Sequence, residues 1–250
     1  MSRKRREEIL SRLRAAGYLS VSRLAAEYDV DTSTIRRDLA ALEAMGLATR
    51  SYGGATPGGA GTEVPFDLKV ETQVDQKRAI GERVAELLAE SGSVILDSGS
   101  TMLAVAKALT GQAGKVVITH DLRVGTELVR QGGTRVIVLG GEVMPDVYSL
   151  VGERSVAELR QYDVDVAVLA ADAVDENGFS ITNNLEAAIK RAMIASARRV
   201  IIAADSSKIG RSALVRVAGL EEVDLVVTDD GLHDEVAARL PVEVVRVSLI

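Results

Sequence analysis

The chain has 250 residues, 47% hydrophobic and 26% charged, with a net charge of −6. This is ordinary globular composition, at a length that allows one large domain or two ordinary ones. It contains no cysteine and only two histidines, His120 and His233, which excludes disulfides, thiol catalysis, thiolate metal sites and a histidine-built metal cluster. No apolar run approaches the length of a membrane span, and residues 1–6 are basic where a signal peptide would turn apolar. The expectation is a soluble, cytoplasmic protein with no membrane partner and no cofactor.

The negative total argues against a nucleic-acid partner only while it is undivided. Residues 1–56 hold ten Lys/Arg against seven Asp/Glu, a balance of +3, and the remainder holds 20 against 29, a balance of −9. A Gly- and Pro-rich stretch at 57–65 separates the two and reads as part of a linker over 57–75. The expected organisation is a small basic head (1–56) and a larger acidic body (76–250).

In the head, Ile9, Leu10 and Leu13 recur at helical spacing over 4–16, and Gly17 stops that helix. Ser20 caps a second short helix with Val21, Leu24, Ala25 and Tyr28 inward, and Asp31 caps a third over 32–45, with Ile35, Leu39 and Leu42 inward and Gly46 as its stop. Three short helices with a tight turn between the last two form a helix-turn-helix. The outer face of the third helix carries Ser33, Thr34, Arg36 and Arg37, whose hydroxyls and guanidiniums suit base edges and phosphates. Any one of these arginines is more simply a solvated charge; the whole arrangement points to double-stranded DNA. Residues 47–55, extended and with a Gly-Gly turn, read as a β-wing that aims Arg50 at the DNA backbone or minor groove.

In the body, Val- and Ile-rich runs at 94–96, 116–118, 136–139, 164–170, 200–204, 225–227 and 242–247 alternate with amphipathic segments. Runs without polar alternation are strands buried on both faces, so the spacing predicts an α/β domain with a mainly parallel sheet. Ligands of such sheets bind beyond the carboxyl ends of the strands. Those ends read Asp97-Ser98-Gly99-Ser100-Thr101, then Thr119-His120-Asp121, Gly140-Gly141, Asp172, and Asp205 through Lys208, which suggests one polar cleft along one sheet edge. The Ser98–Thr101 loop opens a helix and has the makings of an anion site; plain helix capping explains it equally well, and Lys208 shifts the balance toward phosphate. Lys190 follows Glu186 at i,i+4, usually a helix-stabilising pair. A lone loop histidine such as His120 is more often solvated, and Asp172 is either a base, a sugar ligand or a turn cap.

These residues also carry a resemblance. Residues 34–39 (Thr-Ile-Arg-Arg-Asp-Leu), 42–47 (Leu-Glu-Ala-Met-Gly-Leu) and 52–55 (Tyr-Gly-Gly-Ala) resemble the DNA-binding domain of DeoR-type bacterial repressors. Residues 96–101, 139–141, 184–193, 204–208 and 228–230 are similar, in order and spacing, to that family's sensor domain. The resemblance implies a sugar-phosphate isomerase-like sensor fold, with phosphate on the Ser98–Thr101 loop and with Asp172, Lys190 and Lys208 lining the pocket. It also implies a wing contact at Tyr52, where His is common, while His120 stands where the family commonly has Asn.

The expected function is a transcriptional regulator, a repressor of sugar or related carbon metabolism genes. A phosphorylated sugar or similar metabolite would release it from operator DNA, and homodimers or larger homo-oligomers would pair the heads on repeated half-sites. The alternative is a sugar-phosphate isomerase-like enzyme carrying a DNA-binding head, with Asp172 or Glu186 as base.

Overall fold

The structure, a computed structural model, describes residues 2–44, 47–51, 53–57, 66–70, 72–144 and 147–249. The chain divides into two compact units, residues 1–72 and 73–250.

The first unit begins with α1 (Ser2–Ala16), β1 (Leu19–Ser20), α2 (Val21–Tyr28) and α3 (Thr32–Ala44), followed by β2 (Ala48–Ser51) and β3 (Gly54–Pro57). Ile9, Leu13, Leu24, Ile35, Leu39 and Leu42 form its core, the inner faces that the periodicity requires. The Ser20 side chain accepts from the backbone N–H of Arg23 at 3.1 Å, and the Asp31 carboxylate accepts from that of Ser33 at 2.7 Å, so both expected caps are made. The wing is a three-stranded antiparallel sheet of order β1-β3-β2. It requires glycine at position 54, because a Cβ there would lie 2.4 Å from the carbonyl oxygen of Leu19 and from the Tyr18 ring. The expected stop at Gly46, the wing residue Tyr52 and residues 58–65 of the linker lie outside the described residues. The expected linker is not irregular throughout: α4 (Phe66–Val70) lies within it, and α5 (Val74–Leu87) starts before it ends.

The second unit continues with β4 (Ser93–Leu96), α6 (Ser100–Ala108), β5 (Val116–Thr119), α7 (Leu122–Gln131) and β6 (Arg135–Val138). A hairpin of β7 (Glu142–Val143) and β8 (Leu150–Val151) leads to α8 (Glu153–Leu159) and β9 (Val164–Leu169). Then come β10 (Ala173–Asp175), β11 (Gly178–Ile181), α9 (Ala187–Ala195), β12 (Ala197–Ala203), β13 (Val215–Ala218), β14 (Leu225–Asp229), α10 (Asp234–Ala237) and β15 (Glu243–Val247).

All seven expected strands form one parallel sheet of order β15-β14-β12-β9-β4-β5-β6. Successive residues of one strand serve opposite faces. Val94 and Leu96 pack with Ile80, Val84, Met102 and Val105 from α5 and α6, whereas Ile95 joins Ile189 and Met193 of α9 on the other side. Both faces are therefore covered, which is why the strands are apolar without alternation. A small antiparallel sheet of order β10-β11-β13 adds Phe179 and Ile181 to the second face. No helix among the described residues is long and apolar enough to cross a membrane.

The strand order places the site. From β4 the chain moves outward to β5 and β6, then returns to the other side of β4 to lay down β9, β12, β14 and β15. The order reverses between β4 and β9, and a crevice opens beyond the carboxyl ends of such a strand pair.

Candidate functional site

In the head, α1 and α3 are tied together by charge. The Arg5 Nε–H donates to the Asp38 carboxylate at 2.6 Å, and Asp38 is buried. Glu27 holds both Arg12 and Arg23, and Glu43 on α3 holds Arg50 of the wing, with Nε–Oε2 at 2.6 Å and the Arg50 backbone N–H on Oε1 at 3.0 Å. Arg50 therefore braces the wing against α3, a role that spacing alone did not reveal. Ser33, Arg36 and Arg37 are exposed, and Thr34 is half-buried. Arg36 and Arg37 make no hydrogen bond or ion pair among the described residues; their field acts on Asp31, whose carboxyl the Ser33 N–H, with these charges, holds below its ordinary range. The outer face of α3 thus presents two uncommitted guanidiniums beside two hydroxyls.

In the body, the switch point between β4 and β9 is filled by buried charge. Asp97, the first residue beyond β4, is fully buried. Its Oδ2 accepts from the Lys190 ammonium of α9 and from the Ala170 N–H at 2.9 Å, and its Oδ1 faces His120 Nε2 at 3.1 Å. Lys190 also donates to the Ala170 carbonyl at 3.2 Å. Burial would raise the Asp97 pKa, but the Lys190 charge and the His120 hydrogen bond outweigh it and hold the carboxyl at about 2. Burial would likewise lower Lys190, yet Asp97 and Glu186 raise it. The i,i+4 pairing of Glu186 with Lys190 is therefore not what the helix does: Lys190 turns to Asp97, and Glu186 accepts from the Ser98 hydroxyl at 2.9 Å. His120 is completely buried rather than solvated.

Around the Ser98–Thr101 loop, Gly99 has φ +103°, a conformation L side chains rarely adopt, and its N–H donates to Asp121 Oδ2 at 3.0 Å. The other Asp121 oxygen accepts from the Arg123 and Val124 N–H groups at 2.7 and 3.0 Å, capping α7; burial raises the Asp121 pKa. Two of the loop's donors are thus occupied by acids of the protein itself. The backbone N–H groups and hydroxyls of Ser100 and Thr101, at the positive end of α6, carry no hydrogen bond among the described residues. They are the loop's remaining donors, at the end of a helix where the dipole favours negative charge.

The other expected residues are distributed less tightly. The Thr119 hydroxyl is used in the turn, accepting from the Asp121 N–H at 3.1 Å. Asp172 is half-buried, and its Oδ2 accepts from the Thr182 N–H at 2.8 Å, which ties β10 to the segment after β11. Lys208 is half-buried; its backbone N–H donates to the Asp205 carbonyl at 2.9 Å, and its ammonium makes no hydrogen bond or ion pair among the described residues. Gly140 is held by α8 through Glu158 and Ser155, and neither it nor the exposed Gly141 touches the Asp97 cluster through any hydrogen bond described.

The β7–β8 hairpin joins the site without having been assigned to it by the sequence, while Asp121 and Glu186, read there only as a strand-end residue and as the base of the alternative, enter it as hydrogen-bond acceptors. Asp121 had a local signal, an acid between strand and helix. The hairpin had none: its Leu150 carbonyl meets His120 Nδ1 at 3.0 Å, and its Tyr148 ring lies 3.9 Å under the Arg123 guanidinium.

A helix-turn-helix with free arginines on its third helix, followed by an α/β unit with a buried charged cluster at its switch point, defines a DNA-binding regulator with a sensor body. Comparison with known proteins agrees. Residues 5–57 match the DeoR-like helix-turn-helix domain and residues 72–230 the DeoR C terminal sensor domain. The chain belongs to the DeoR family. It is 31% identical to the glycerol-3-phosphate regulon repressor of Escherichia coli K12, over 90% of each chain. It is 34% identical to the transcriptional repressor AccR of Agrobacterium fabrum, over 91% of this chain and 89% of the relative. It is 35% identical to the HTH-type transcriptional regulator GlpR of Haloferax volcanii, over 85% and 84%. Among solved structures, ribose 5-phosphate isomerase A of Methanocaldococcus jannaschii aligns with 55% of each chain at 16% identity and a TM-score of 0.41.

Proposed function

We propose that the protein is a cytoplasmic repressor of genes for sugar or related carbon metabolism. The head (1–56) grips an operator through Ser33, Thr34, Arg36 and Arg37, with Arg50 and Tyr52 on the wing. The body (76–250) takes a phosphorylated sugar or similar metabolite in the cleft around Asp97, Lys190 and Lys208. The observation that carries the sensor reading is the switch-point cluster beside the unused donors of Ser100 and Thr101. The repressor reading draws on the names of the relatives, one of which governs a glycerol-3-phosphate regulon. Homodimers place two heads on repeated half-sites, and the effector acts by favouring an arrangement that fits the operator less well.

The test is operator binding, followed by fluorescence anisotropy with DNA from upstream of the gene. Arg36→Ala with Arg37→Ala abolishes sequence-specific binding, and a phosphosugar that raises the melting temperature also releases the wild-type complex. Specific binding retained by the double variant would remove α3 from the interface.

The enzyme reading is disfavoured by the commitments of its two candidate bases: Glu186 accepts from the Ser98 hydroxyl at 2.9 Å and Asp172 from the Thr182 N–H at 2.8 Å. Turnover of pentose or hexose phosphates by the purified protein would reverse that judgement.

A further inference from the structure

His120 sits at the centre of the charged cluster, and its hydrogen bonds count its protons. Nδ1 lies 3.0 Å from the Leu150 carbonyl oxygen, and Nε2 lies 3.1 Å from Asp97 Oδ1. A carbonyl and an ionised carboxylate only accept, and a neutral imidazole has a single N–H to give. Asp97 does not carry the missing proton: the Lys190 ammonium and the Ala170 N–H on its other oxygen favour the ionised carboxylate, which is held at about 2. Moving the single proton to the other ring nitrogen does not help, because both nitrogens face acceptors.

We infer that His120 is an imidazolium in the folded protein, and that its charge makes anion capture in the adjoining cleft proton-linked. Three carboxylates bear on this group, and a fourth bears on the cation beside it. Asp97 faces it from the end of β4, Glu186 from the turn ahead of α9, and Asp121 from the next position in the chain; Asp172 acts on Lys190, the second cation, which α9 brings to the same carboxylate. From β8, the Leu150 carbonyl faces the His120 ring and the Leu150 N–H donates to the His120 carbonyl at 2.7 Å. Burial opposes the imidazolium, but the Asp97 bond and the Asp97 and Glu186 charges outweigh it, so the His120 pKa is raised. When His120 loses its proton, Lys190 alone faces these acids, and an anion entering at Ser100 and Thr101 meets a more negative site.

This inference rests on the reading of the cleft as an anion site, and two measurements keep them separable. The first needs no ligand. In full-length His233→Gln protein, His120 is the only histidine, and long-range 1H–15N correlations should show both its nitrogens protonated at neutral pH. The pattern of a neutral tautomer there would overturn the inference. The second uses sulfate, a dianion of constant charge, as the probe of thermal stabilisation between about pH 6.5 and about pH 9.5. Wild-type affinity should be flat at low pH and fall as pH rises through the His120 pKa. The loss is roughly tenfold for each unit by which the anion raises that pKa. In His120→Asn the pH dependence should vanish.

Equal pH dependence in both proteins would overturn the linkage while leaving the imidazolium in place. No sulfate effect on either would sink the linkage together with the anion-site reading. Should His120→Asn fail to fold, the His233→Gln spectra decide: sulfate must move the His120 titration upward, and an unmoved titration refutes the linkage.

Discussion

Asp97 is a fully buried carboxylate whose neighbours, Lys190, His120 and the Ala170 N–H, come from α9, the end of β5 and the end of β9. A buried ion pair adds little net stability when complete and costs much when one member is removed. Lys190→Met should therefore destabilise the body by about 3–5 kcal/mol, read as a lower urea midpoint at unchanged slope. The same carboxylate gives the protein an acid limit. Its folded pKa, about 2, lies below the ordinary Asp value of roughly 3.9. The stability it contributes is thus fully present above the ordinary value and lost as pH falls through the folded one. Compared with Asp97→Asn, the wild type should lose its advantage as pH falls from about 4 to about 2, where the pair is titrated away. An advantage independent of pH would show that Asp97 is not the titrating group.

At the scale of elements, α3 is held from both sides before any DNA arrives: Asp38 ties it to Arg5 of α1, and Glu43 ties it to Arg50 of the wing. Two substitutions on this helix should then behave differently. Asp38→Ala removes a charged hydrogen bond worth about 1.5–3 kcal/mol, lowering head stability and operator affinity together with no change in sequence preference. Arg36→Ala leaves stability alone. If Arg36 meets a phosphate, the slope of log affinity against log salt falls by about 1; if it meets a guanine edge, preference at one base pair relaxes instead. Anisotropy titrations over a salt series distinguish these outcomes, and a salt slope and base preference both unchanged would take Arg36 out of the contact.

What the sequence disclosed also sorts by element. The seven strands of the parallel sheet were legible because burial on both faces leaves runs such as 164–169 with almost no polar residue. The β7–β8 hairpin and the small sheet of β10, β11 and β13 were not, because strands of two to four residues are too short to establish a period. The order of the strands is a property of long-range pairing, so the β4–β9 switch point, and with it the meeting of Asp97 and Lys190 across 93 positions, had no local signature. Local reasoning gave Lys190 its helical neighbour Glu186, and the tertiary fold overrode it.

For the molecule as a whole, the net charge of −6 conceals a division of labour. Three acids of the head are committed internally, Glu27 to Arg12 and Arg23, Asp38 to Arg5 and Glu43 to Arg50. Arg36 and Arg37 remain uncommitted on the outer face of α3, and an acidic body discourages indiscriminate adhesion to DNA. The two compact units also have separate hydrophobic cores, one around Leu39 and the others around Ile95 and Leu96. A unit with its own core can unfold as its own cooperative transition. Leu39→Ala, which empties a fully buried site in the head, should cost about 2–5 kcal/mol there. Scanning calorimetry of the full chain should show one transition moved down and the other unchanged, with operator binding lost and stabilisation by sulfate retained. Ile95→Ala should move the complementary transition and spare DNA binding at temperatures where the body remains folded. A single transition displaced equally by both substitutions would mean that head and body unfold as one unit, and that an effector in the body reaches the operator through shared stability rather than through the arrangement of the heads.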